Sequence, residues 1–65
     1  MNRIVIGWRC EPFTCEFRGE RQSGWLQVFQ GDELVLKEPA DSVRAAFQRA
    51  HDFCEQLLWR RARGA

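Results

Sequence analysis

Trp25-Leu26-Gln27-Val28-Phe29-Gln30-Gly31-Asp32-Glu33-Leu34-Val35-Leu36-Lys37 is the stretch on which the fold turns. Gly31-Asp32 is two-residue hairpin chemistry between two runs rich in aliphatic and aromatic residues. Such a turn predicts Phe29 opposite Leu34 and Val28 opposite Val35. The two faces of the hairpin then read Trp25/Gln27/Phe29/Leu34/Leu36 and Leu26/Val28/Val35, and both carry apolar side chains. A sheet wetted on one side alternates apolar with polar residues, so this hairpin calls for cover on both faces.

Upstream, Ile4, Ile6, Trp8 and Cys10 alternate with Val5, Gly7 and Arg9 at the period of a half-buried strand. Glu11-Pro12 interrupts the run, because proline has no N–H for a ladder. Phe13, Cys15 and Phe17 then alternate with Thr14, Glu16 and Arg18, and the polar segment from Gly19 to Gly24 reads as a longer hairpin connection. Downstream, Glu38-Pro39-Ala40 ends the last strand and Asp41 is placed to cap a helix. Val43, Ala46, Phe47, Ala50, Cys54, Leu57 and Leu58 recur at three- and four-residue steps, flanked by Phe53, and form one apolar stripe.

Strands are expected at about 3–10, 13–18, 25–30 and 33–37, and a helix at about 41–62. The expected architecture is α+β: one small domain over 1–65, with a three- or four-stranded antiparallel sheet followed by one C-terminal helix packed on one face. Its core should hold Ile4, Ile6, Trp8, Phe17, Phe29, Leu34, Val43, Phe47, Ala50, Cys54 and Leu57. A helix of roughly twenty residues spans about 30 Å and should overhang the shorter strands. One helix covers one face, which leaves Leu26/Val28/Val35, or its counterpart, in need of a cover from outside the chain.

Sixty-five residues, 45% hydrophobic and 29% charged, have the composition of a small globular domain rather than a disordered or fibrous one. A chain this short hides only about 60% of the surface exposed by its unfolded form, so a disulfide, a metal or a partner chain should supplement the core. Ten basic and nine acidic residues give a net charge of +1, which makes no electrostatic case for a dedicated nucleic-acid binder. No apolar run is long enough for a membrane span, and the stretch Met1-Asn2-Arg3-Ile4-Val5-Ile6 is too short for the core of a signal peptide. Three cysteines, an odd number, suit reduced thiols and a cytoplasmic setting.

Cys10, Cys15, His51 and Cys54 are the residues from which a zinc site could be assembled, the last two lying one helical turn apart. Against that, Cys54 falls inside the apolar stripe, and Cys10 and Cys15 share a strand face with Trp8, Phe13 and Phe17. Their four-residue spacing also departs from the two-residue knuckle. Core cysteines are the better reading, a Cys10–Cys15 disulfide ranks lower still, and no cofactor is expected. No phosphate loop, nucleophile elbow or framed carboxylate pair is present, so the chain does not read as an enzyme.

A protein-interaction module accounts for more residues. Trp59 falls on the polar side of the helix among Gln48, Asp52, Glu55, Gln56 and Arg63, and an aromatic flanked by arginine is hot-spot chemistry. The expected contact surface is Leu26, Val28, Val35 and Trp59 with Arg60 and Arg61 as its polar rim, used for a homodimer or for another protein. The alternative is a small nucleic-acid-binding accessory protein that uses Arg9, Arg18, Arg60, Arg61 and Arg63. Glu16, Glu20, Glu33 and Glu38 weigh against it, since they would repel phosphates.

Overall fold

The computed structural model describes residues 3–64, with side chains through Arg60. Four strands, β1 (Ile4–Cys10), β2 (Phe13–Glu20), β3 (Ser23–Gln30) and β4 (Glu33–Ala40), precede one helix, α1 (Val43–Gly64). The strands form an antiparallel meander in the order β1-β2-β3-β4, and α1 packs against it, giving the expected α+β arrangement.

Three two-residue turns join the strands. The Glu11–Pro12 peptide bond in the first is cis. In the third, Gly31 has φ 63° while Asp32 does not have positive φ, the signature of the type II′ turn that matches strand twist. The middle hairpin is tighter than expected. Instead of a loop from Gly19 to Gly24, the ladder runs on to Glu20↔Ser23 and only Arg21 and Gln22 form the turn. Glycine makes this possible: Gly19 and Gly24 face each other, and a Cβ on Gly19 would lie 2.4 Å from the Gly24 Cα. A Cβ on Gly24 would lie 2.6 Å from the Phe17 ring, so the pair of glycines lets the strands close under that ring.

The register of the second half differs from the expected one by a single residue. Phe29 does pair with Leu34, but Val28 pairs with Leu36, and Val35 is the extra residue of a β-bulge. The bulge lets Val35 and Leu36 both pack against the core. It also puts Phe29 and Leu34 on the face away from the helix, whereas Val28 and Leu36 lie beneath it.

The core lies between the helix and the middle of the sheet: Phe13, Cys15 and Phe17 from β2, Leu26 and Val28 from β3, and Ala46, Ala50 and Cys54 from α1. The three helix residues recur every four positions and are small, so the helix backbone can settle close to the sheet. Trp8, Val43, Phe53 and Leu57 pack around this cluster. Five of the expected core residues lie elsewhere: Ile6, Leu34 and Phe47 are exposed, Phe29 is half-buried on the outer face, and Ile4 is half-buried on β1 outside the cluster. Leu57 is the last of the described side chains packed on the core, while Leu58 and Trp59 are exposed, so the helix does run past the sheet.

Ser42, not Asp41, caps the helix. Its Oγ accepts the N–H of Ala45 at 3.0 Å and its backbone oxygen accepts the N–H of Ala46 at 3.0 Å. Helix geometry decides this, because the cap must sit three residues before the N–H that it receives.

Candidate interaction surfaces

An α-helix with its side chains is about 10 Å across, and strands lie about 4.8 Å apart. One helix therefore covers two strands well and a third in part. Here it is centred on β2 and β3, and the Arg49 Nε–H donates to the Glu38 carboxylate of β4 at 2.7 Å. The guanidinium of Arg49 also lies 5.8 Å from the Phe53 ring centre. Towards β1 the ties are an aromatic contact, Trp8 with Phe47, whose ring centres are 5.1 Å apart, and the thiol pair Cys10 and Cys54.

Two apolar surfaces remain. The first is the flank between β1 and the helix. Ile6 pairs with Phe17 and so shares its face, yet Phe17 is fully buried and Ile6 is 37% exposed. Phe47, on the helix beside it, is 54% exposed. The second is the outer face of the sheet, which no described element covers. Trp25 stands opposite Arg18 and Pro39, Phe29 opposite Thr14 and Leu34, and Val5 opposite Arg18. Trp25 is 49% exposed and carries the Lys37 ammonium 5.4 Å from its ring centre. Glu16, Gln27 and Lys37 form a polar row between the two ends of this face.

The sequence-derived contact set divides. Leu26 and Val28 are completely buried and Val35 packs against the same cluster, so these three form the covered face of the sheet, not the free one. Trp25, Phe29 and Leu34 take their place on the open face. Trp59 is 63% exposed and Arg60 is exposed beside it. The side chains of Arg61 and Arg63 lie outside the described residues. Arg9 and Arg18 are exposed, each with a neighbouring carboxylate: Arg9 with Glu11 at 3.5 Å, and Arg18 with Glu16.

The thiols converge, but not around His51. Cys54 hydrogen-bonds both Cys10 and Cys15, joining β1, β2 and α1 through three free cysteines. His51 is exposed on the helix and lies 3.4 Å from the Glu55 carboxylate. Among the described residues, no group of three or more His, Cys, Asp or Glu side chains is arranged to hold a metal ion. Burial raises the Cys54 thiol to about 12, with its hydrogen bond to Cys10 pushing the same way. Burial also raises Cys15, partly opposed by its hydrogen bond with Cys54. These two thiols are held protonated and away from solvent, the surroundings of packing residues rather than nucleophiles.

The outer-face aromatics were hidden by the bulge, since a regular register assigns Leu36 to the same face as Phe29 and Leu34. The β1 flank was hidden by a question of width: periodicity tells which side of a strand is apolar, but not how far sideways a helix reaches. No described helix is long and apolar enough to cross a membrane. The chain matches no protein-family model, no curated protein and no solved structure.

Proposed function

We propose that this chain is a small non-enzymatic protein-interaction module that associates with a second copy of itself. The observation that carries this reading is the amount of large apolar side chain left uncovered: Val5, Ile6, Trp25, Leu34, Phe47 and Trp59 are all exposed in a chain of 65 residues. A domain this small gains proportionally more from covering such surface than a large one. The three free thiols suit a reducing compartment, and the cytoplasm is the setting we assign. Sedimentation equilibrium at micromolar concentration should return twice the 7.7 kDa of one chain. That mass should change little between low and high salt, because apolar contacts are not screened. A monomer across the whole concentration range would overturn the reading.

One observation favours a second reading. Trp25 and Phe29 share the outer face with Arg9, Arg18 and Lys37, and aromatic rings beside cations are a platform for single-stranded nucleic acid. Glu16 and Glu11 beside the two arginines count against it. The readings separate by titrating a labelled single-stranded oligonucleotide at two salt concentrations. Binding that weakens steeply with salt supports the second reading, and no binding at low salt removes it.

A further inference from the structure

The sheet has two open edges, and they are built differently. β4 carries a bulge at Val35, a proline without an N–H at Pro39, and the charged side chains of Glu33, Lys37 and Glu38. These are the devices that deter strand-to-strand association. β1 has none of the first two and little of the third. Its seven residues run in unbroken register with β2, without proline, and Arg9 is the only charged residue among them. The alternation of an antiparallel ladder turns half of its backbone N–H and C=O groups away from β2, towards the open side. Beside that edge lies the uncovered inner strip of Ile6 and Phe47, with Trp8 half-buried between them and the core.

We infer that β1 is the dimerisation edge: two copies pair β1 to β1, antiparallel, about a twofold axis perpendicular to the sheet. The inference rests on the self-association proposed above and names the surface that performs it. The second copy is the occupant because the strand is its own complement. Pairing centred on Gly7 aligns all seven residues of β1, placing Ile6 opposite the partner's Trp8 and Ile4 opposite the partner's Cys10. The same register sets Arg3 opposite the partner's Glu11, two exposed residues of opposite charge just outside the strand. A twofold axis repeats each of these contacts, so the charge match occurs at both ends. With the axis perpendicular to the sheet, both helices lie on one side of a continuous eight-stranded sheet. Ile4, Ile6 and Trp8 of each copy then form a shared apolar floor between the helices, with Phe47 of each as its walls. The exposed inner strip of one chain thus becomes the middle of a larger core.

Two measurements test this on the full-length chain. The first is the mass in solution of the wild type, of Ile6→Lys, which puts a charge on the proposed floor, and of Trp25→Ser, which alters only the outer face. The second is a covalent trap, Gly7→Cys in a Cys10→Ser background, oxidised mildly with diamide. A Cβ at position 7 meets nothing closer than the Cys15 backbone oxygen at 3.7 Å, so the trap fits the monomer. Directly opposed residues in an antiparallel pair have Cα atoms about 4.5–5.5 Å apart, within disulfide reach. The expected result is a dimeric wild type and Trp25→Ser, a folded monomeric Ile6→Lys, and a disulfide-linked dimer from the trap. A wild-type monomer would overturn the edge pairing together with the proposed function. A wild-type dimer that survives Ile6→Lys and gives no trapped dimer would overturn the edge pairing alone. Should Ile6→Lys fail to fold, the trap decides: a linked dimer supports the pairing and its absence overturns it.

Discussion

Ile6 and Phe17 stand directly opposite each other on neighbouring strands and on the same face of the sheet, yet one is exposed and the other fully buried. The apolar pattern of β1 is as regular as that of β2. What separates them is the reach of a single helix seated over β2 and β3 and tied towards β4 by Arg49 and Glu38. Apolar alternation therefore marks a face that needs cover, while the width of the covering element decides which strands receive it from their own chain. The comparison makes a quantitative demand. Phe17→Ala should cost about 3–5 kcal/mol, much of the stability of a small domain, and should abolish a cooperative melt. Ile6→Ala, measured in dilute solution where chains are apart, should cost far less. Comparable losses at the two positions would mean that the helix covers β1 as well.

The order of elements, their types and the burial of Phe17, Ala50 and Cys54 were legible because they follow from periods of two and 3.6 residues. Leu26, Val28 and Val35 do share a face, but it is the one the helix covers. A local irregularity adds Leu36 to it and makes it more apolar than regular alternation shows. One added residue at Val35 reverses which face the rest of β4 presents, and its hydrophobic neighbours, apolar on both sides, give no sign of it. Gly19 and Gly24 have the sequence signature of a loop, because glycine marks loops more often than it marks a close approach of two strands. The pattern that did survive is the demand for cover itself: the hairpin is apolar on both faces, and its outer side chains Trp25, Phe29 and Leu34 have none within the described residues.

Alkali should attack the covered half selectively. Cys54 has an ordinary value of 9.0 and is raised to about 12 by burial in the folded chain. The unfolded chain therefore gives up this proton first, and stability falls as pH climbs from about 9 towards 12, having been fully present below that window. Chemical denaturation at a series of pH values should show the decline, and Cys54→Ala should flatten it while lowering stability at neutral pH through the lost packing. An unchanged slope in that variant would remove Cys54 as the cause. Thiol reagents at neutral pH should modify Cys15 and Cys54 only at the rate of unfolding.

The two halves also differ in how they treat glycine. A side chain on Gly24 would meet the Arg18 backbone oxygen at 2.5 Å and the Phe17 ring at 2.6 Å, so Gly24→Ala should cost about 1–3 kcal/mol by overpacking. A Cβ on Gly7 of β1 would make only an ordinary contact, 3.7 Å from the Cys15 backbone oxygen, and Gly7→Ala should be within about 0.5 kcal/mol of neutral for the monomer. Matched thermal melts of the two variants read the contrast directly. Ser42→Ala should fall between them at about 1 kcal/mol, from the loss of the helix cap, with Asp41→Ala smaller.

The smallest effect concerns why the helix leans as it does. Arg49 and Glu38 are both partly exposed, with side-chain exposures of 41% and 31%, so their ion pair is screened and should contribute no more than about 1 kcal/mol. Its position matters more than its strength, because it ties the N-terminal part of α1 to β4, away from β1. Glu38→Gln keeps the shape and removes the charge. If the pair sets the lean, the helix relaxes towards β1 and Phe47 and Trp8 gain mutual burial. The emission of Trp8, read in a background where Trp25 and Trp59 are replaced by Phe, should then shift to shorter wavelength with little change in melting temperature. If the emission stays where it is, small-residue packing at Ala46, Ala50 and Cys54 alone fixes the helix, and the exposure of β1 follows from the core rather than from the ion pair beside it.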